Sequence, residues 1–108
     1  MDVTFVCYAT IRDAAGRKEA GLSLPEEATV GEALRRFTAE YDGVAPLVFD
    51  GDGDVRPNVN VLVDDVNVRE LAGAETSLVD GATVALAPGV AGGRAATPAP
   101  ADRTGGQA

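Results

Sequence analysis

The chain has 108 residues, enough for one small domain and too few for two, with 17 acidic and 9 basic residues and a net charge of −8. Such a surface repels phosphate backbones, so nucleic acid is not expected as a direct partner. With no histidine and a single cysteine, Cys7, the sequence offers no Ser-His-Asp triad, Cys-His pair, histidine-ligated metal, internal disulfide or four-cysteine cluster.

Residues 3–11, VTFVCYATI, read as a strand. Val3, Phe5, Cys7 and Ala9 share one face, and Thr4, Val6, Tyr8 and Thr10 the other. Cys7 falls inside this apolar alternation and reads as a buried, inert thiol. RDAAGRK reads as a turn in which Gly16 can take positive φ, and EAGLSLP as the return strand of a hairpin. TVGEALRRFTAEY is the clearest helix. Thr29 and Glu32 fit a capping box, and Val30, Ala33, Leu34, Phe37 and Tyr41 recur at helical spacing as one apolar stripe. Asp42-Gly43 ends it.

Residues 44–57 are irregular, with APLVF expected as a packed loop or a turn of helix. In DGDGD, Asp50, Asp52 and Asp54 alternate as a calcium loop begins. The glycine and glutamate that such a loop needs further on are replaced by Val55 and Val61, so the stretch reads as a solvated acidic turn. VNVLVDD is a strand with Val59, Val61 and Val63 on one face and Asn60 and Leu62 on the other. Asp64-Asp65 turns it into a short partner, VNV. ELAGAETSL connects to the last strand, in VDGATVALA. The order is strand, strand, helix, strand, short strand, strand. One helix set on a mixed sheet gives the apolar stripe a face to bury itself on. The fold class is therefore α+β, with the element order of a β-grasp, or ubiquitin-like, domain.

After Ala87 come Pro88-Gly89-Val90-Ala91 and then Gly92-Gly93. Residues 94–108 contain no Val, Leu, Ile or aromatic, and Pro98 and Pro100 break any helix. The expected organisation is a domain over 1–93 and a disordered Ala/Pro/Gly tail over 94–108. No apolar run approaches ~18 residues and no signal-peptide pattern opens the chain, so a soluble cytoplasmic protein without membrane contact is expected.

FVCYATIRDAAG, ATVGEALRRFTAEYDG, VNVLVDD and LVDGATVALAPGVAGG, in that order and spacing, resemble the MoaD/ThiS sulfur carriers, and the ubiquitin-like small archaeal modifier proteins in particular. The resemblance spans nearly all of residues 1–93 and implies that the first and last strands are parallel neighbours at the sheet centre. It also implies that the chain is no enzyme and binds no cofactor. An E1-like enzyme uses ATP to adenylate the carboxylate of Gly93. The acyl group is then converted to a thiocarboxylate, for molybdopterin or tRNA thiolation, or joined to a target-protein lysine. Because Gly93 is followed by Arg94, its carboxyl must first be freed, which makes the tail a pro-segment cut by a processing protease at Gly93-Arg94. Gly105-Gly106, two residues from the end, is the less favoured pair. Two other roles stay open: a molybdopterin synthase small subunit, paired with the large subunit, and a β-grasp binding module without carrier activity. Where many members have an aromatic before Pro-Pro, this chain has Ala87, Pro88 and Gly89. The surface expected to meet the activating enzyme is the outer sheet face of Val6, Tyr8, Leu62 and Leu86, with Val90 and Ala91 in the spacer.

Eight of the nine cations are Arg and only Lys18 is Lys, a composition that suits a salt-rich cytosol and equally a GC-rich genome. Self-repulsion at −8 opposes compaction, and salt screens it. The melting temperature should therefore rise from low to molar KCl; a flat or falling curve in a thermal melt would count against this reading.

Overall fold

The computed structural model describes residues 1–89. Residues 90–108 lie outside the described residues, and with them the expected tail, Val90, Ala91, Gly92, Gly93, Arg94, Gly105 and Gly106.

Local chemistry fixes the main helix. The long helix, Val30–Glu40, begins at Thr29, whose Oγ1 accepts from the Glu32 N–H at 3.3 Å while Glu32 Oε1 accepts from the Thr29 N–H at 3.2 Å. This is the expected capping box, and it satisfies two groups that a bare helix end leaves unpaired. Val30, Ala33, Leu34 and Phe37 are buried, and the Phe37 ring stacks on Phe5 with centroids 4.3 Å apart and planes within 5°. Tyr41, half-buried, closes the stripe against Phe37 at 4.9 Å.

In chain order the elements are β1 (Asp2–Cys7), α1 (Ala9–Ala15), β2 (Glu19–Ser23), α2 (Val30–Glu40), α3 (Ala45–Val48), β3 (Val59–Val63), β4 (Val66–Asn67) and β5 (Thr83–Pro88). Short 3₁₀ turns lie at Asp42–Val44, Val68–Glu70 and Gly73–Glu75. The five strands form one mixed sheet in the order β2-β1-β5-β3-β4. β1 and β5 are parallel at its centre and the other pairings are antiparallel. Val3, Phe5, Cys7, Val59, Val61, Val84 and Leu86 turn to α2 and form the core with its stripe. This is the expected β-grasp architecture, with α1 and α3 as further short helices.

The expected strand over residues 3–11 stops at Cys7, and the expected turn RDAAGRK is mostly helix. Tyr8 is extended and caps α1, its carbonyl accepting from the N–H groups of Ile11 and Arg12 at 3.1 and 3.2 Å. Ile11 is buried and Ala14 and Ala15 half-buried, a helical spacing that replaces the strand alternation. Ala9, expected inside, is exposed, and its φ of +53° marks where the chain turns out of the sheet. Gly16 ends α1 at φ +79°, the positive value expected of it.

β3 and β4 join through Asp64 and Asp65, both at positive φ (+48° and +74°), as a two-residue hairpin of this twist requires. In the DGDGD turn the Asp50 carboxylate accepts from the N–H groups of Asp52 and Asp54 at 2.9 and 3.1 Å, so it is engaged in holding the loop. β5 ends where Pro88, which has no N–H, pairs with Val59. The next N–H, of Gly89, donates to the Asn58 carbonyl. A Cβ at residue 89 would stand 2.7 Å from that oxygen.

Two substitutions test this packing. Phe37→Ala should cost about 3–5 kcal/mol in urea unfolding, because it removes the ring that fills the sheet-helix interface. Gly89→Ala should cost about 1–3 kcal/mol, because backbone, not a flexible side chain, occupies the space its methyl needs. Unchanged stability of Gly89→Ala would mean that the end of β5 is not held against Asn58.

Candidate functional site

The last described residues decide where the C-terminal segment starts. Asn58, which takes the Gly89 N–H, belongs to a stretch pinned by Arg69. The Arg69 guanidinium donates to the carbonyl oxygens of Pro57 at 2.5 Å and Val59 at 3.1 Å, and to Asn60 Oδ1 at 3.3 Å. Arg69 is itself placed by the Val68–Glu70 turn, where its N–H donates to Asn67 Oδ1 at 2.9 Å. A line of hydrogen bonds thus runs from Asn67 through Arg69 to residues 57–60 and on to Gly89. From there, residues 90–93 can span about 13 Å at ~3.3 Å each. Sequence reading passed over Arg69, because a lone arginine in a connection carries no local pattern of its partners.

Beside this exit lies the outer face of the sheet. Val6, Ala85 and Leu62 are register partners across β1, β5 and β3, and all three are half-buried. Tyr8 continues the outward parity of β1; its N–H donates to the Leu86 carbonyl at 3.0 Å and its side chain is 45% exposed. The structure therefore gathers Val6, Tyr8 and Leu62 on one face. Leu86 does not join them, which corrects its expected position: it is fully buried and points to α2. Parity explains the difference. Ala82, Val84 and Leu86 are the buried set, which turns Thr83, Ala85 and Ala87 outward. Ala85 and Ala87 take the place expected for Leu86, and the face is flatter than the sequence suggested. At its rim Lys18 Nζ stands 5.9 Å from the centroid of the Tyr8 ring. An ammonium at this distance is attracted to the ring's negative face.

The rest of the described chain offers little chemistry. Cys7 is buried in the core, and burial pushes its thiol above the ordinary value, so little thiolate forms at neutral pH. A cavity of about 340 Å³ lies between α2 and β3, lined by side chains such as Val30, Leu34, Val59 and Val61. Its charged lining residue is Arg69, three of whose five N–H donors are taken by Pro57, Val59 and Asn60. Among the described residues, no cluster of three or more His, Cys, Asp or Glu is placed to hold a metal, and no helix is long and apolar enough to cross a membrane. What the arrangement can do is present a strand end and a half-apolar face beside it.

Comparison with known proteins gives this shape a family. The chain is 42% identical over 93 residues to small archaeal modifier protein 3 of Haloferax volcanii, covering 86% of this chain and 100% of that protein. It is 34% identical over 67 residues to the sulfur carrier protein CysO of Mycobacterium tuberculosis, covering 60% of this chain and 72% of the relative. The crystal structure of SAMP1 from Haloferax volcanii superposes with a TM-score of 0.78 at 26% identity, covering 86% of this chain and 100% of that one. The model of the ThiS family matches residues 6–93, a span that holds the whole sheet from Val6 onward and runs to the second glycine of Gly92-Gly93. The chain belongs to the ThiS family of ubiquitin-like sulfur carriers and modifiers.

Proposed function

We propose that this protein is an acyl carrier for sulfur or for protein conjugation, with the carboxylate of Gly93 as the group that is activated. The observation that supports this most is the held strand end. β5 leaves the centre of the sheet at Gly89, fixed by Asn58 and Arg69, and four residues later the sequence reaches Gly93. A short tether keeps its end at high effective concentration near whatever docks on the sheet face beside it. Two residues without Cβ can enter a narrow slot and leave the carbonyl open from either side.

In the proposed sequence a protease first frees Gly93 from Arg94. An E1-like enzyme, docked on Val6, Tyr8 and Leu62, then joins the Gly93 carboxylate to the α-phosphorus of ATP, and pyrophosphate leaves. A sulfur nucleophile attacks the acyl carbon and AMP leaves, giving a thiocarboxylate. A lysine amine attacking the same carbon gives an isopeptide instead. Activation and transfer belong to partner enzymes in the cytoplasm, and the molybdopterin synthase large subunit is one partner on which the thiocarboxylate would give up its sulfur, to the dithiolene of molybdopterin.

Three chains test the choice of glycine: full length, ending at Gly106, and ending at Gly93. Incubated with the activating enzyme, ATP and a sulfur donor, only the Gly93 form should gain the mass of one oxygen-to-sulfur exchange. Gain by the Gly106 form alone would move the site there. No gain by any form, with a proven carrier active in the same assay, would remove the carrier reading. For the docking face, Tyr8→Asp and Leu62→Asp should weaken capture of the activating enzyme roughly tenfold, as loss of about 1.4 kcal/mol would. Full capture by folded variants would place the contact elsewhere.

A further inference from the structure

We infer that Arg69 is a positioning residue for the activation of Gly93: its guanidinium stands in for a missing strand beside β3 and so fixes the point from which the chain runs to the diglycine. The inference rests on the carrier reading above for the reaction it serves, but the hold on the strand end does not depend on that reading.

β5 loses one of its two neighbours before it ends. Its pairing with β1 stops at Cys7 opposite Leu86, whereas its pairing with β3 continues to Val59 opposite Pro88. Two features end the β1 side. The Tyr8 N–H still donates to the Leu86 carbonyl, but the Tyr8 carbonyl is turned into α1, where it accepts from Ile11 and Arg12. In a parallel ladder the next donor to that carbonyl would come from residue 88, and Pro88 has no N–H to give. Among the described residues, β3 then carries the end of β5 by itself, and the last bond runs from the Gly89 N–H to the Asn58 carbonyl.

The start of β3 in turn lacks a strand on its other edge, because β4 pairs only with Leu62 and Val63. Carbonyls two residues apart leave a strand from the same edge. Those of Pro57 and Val59 are such a pair, and Arg69 Nη2 donates to both, at 2.5 and 3.1 Å. Nη1 adds the bond to Asn60 Oδ1 at 3.3 Å. One guanidinium thus does along residues 57–60 what β4 does further on. The described salt bridge joins Met1 to Glu26 and leaves Arg69 out, so its fork is committed to the backbone and not to a carboxylate. A lysine here would keep the charge but not the planar spread of donors that reaches both carbonyls.

Gly93 lies four residues beyond Gly89. With Gly89 fixed, a docked enzyme has only those four residues to order before the carboxylate meets ATP. With the 57–60 segment released, ordering the end of β5 is added to the activation step itself. Arg69 therefore acts on the rate at which a docked chain is activated, and not on docking.

The chain ending at Gly93 and its Arg69→Lys and Arg69→Gln variants decide the matter in two arms. The first follows amide hydrogen exchange by NMR, without enzyme. In both variants the Gly89 N–H should exchange roughly tenfold faster than in the wild type, while the Tyr8 N–H, which bonds to Leu86 ahead of the exit, keeps its protection. Unchanged protection of Gly89, or equal loss at Tyr8, would overturn the inference, the second because it would make Arg69 a support of the whole sheet. The second arm adds the activating enzyme and ATP and follows pyrophosphate release. Both variants should lose roughly tenfold in kcat with KM unchanged. A fold defect would instead reduce the competent fraction and raise the apparent KM, as would loss of a docking contact. A rise in KM alone, or full kcat in Arg69→Lys, would therefore overturn the inference and leave the carrier reading intact. No pyrophosphate from the wild-type chain, with a proven carrier active in the same assay, would overturn the carrier reading and this role of Arg69 together.

Discussion

The parallel pairing of β1 with β5 is the constraint on which everything else depends. Thr4, Phe5, Val6 and Cys7 lie opposite Thr83, Val84, Ala85 and Leu86, so residues some eighty positions apart share the middle of the sheet. Closing so long a loop costs entropy that local contacts cannot return. The return comes from the inner members of the pair: Phe5, Cys7, Val84 and Leu86 are all buried, and Phe5 carries the stack with Phe37. α2 crosses this pair, β2 completes one side, and β3 with β4 completes the other. Because the last strand is central, the chain leaves the domain from the middle of the sheet and not from a fraying edge.

That exit gives the chain beyond Gly89 a fixed starting point, although the described residues carry little chemistry of their own. Gly89 is held by Asn58, and the stretch around Asn58 by Arg69. Arg69 is at the surface, yet its fork of donors satisfies two backbone carbonyls and a side-chain oxygen that the irregular approach to β3 would otherwise leave to water. The same arginine borders the cavity under α2, so packing on the core side and strand geometry on the outer side meet in one side chain. The outer face, by contrast, is assembled from small and medium side chains, and only Tyr8 rises above it.

How much of this was legible in the sequence follows from which interactions are local. The capping box of Thr29 and Glu32 and the stripe from Val30 to Phe37 need only neighbours on one helix, and both were readable. The alternation of Val59, Val61 and Val63 and the Asp64-Asp65 turn are equally local. α1 was not readable as a helix because Ala9–Ala15 is short and follows a strand whose alternation masks its start; Ile11, Ala14 and Ala15 hold the signal. Leu86 was misplaced because a strand buried on one face has two parities, and choosing between them needs the register with β1. The Arg69 contacts span about ten residues through an irregular segment, which no periodicity encodes. The Gly-Gly and its spacing from β5 were plain in the residues; that β5 ends beside Tyr8 follows only from the strand order.

The position of β5 also sets the order in which a growing chain can mature. Until Thr83–Pro88 have been synthesised, β1 and β3 both lack the strand that joins them, and the valines and Phe5 that face α2 lack Val84 and Leu86 to pack against. A product that stops short of β5 is left with unpaired strand edges, the kind of surface that aggregates or is degraded. The residues that complete the fold lie a few positions ahead of the diglycine. A folded body is therefore itself a sign that translation has nearly reached the glycines, because a chain cut short of β5 cannot complete the sheet.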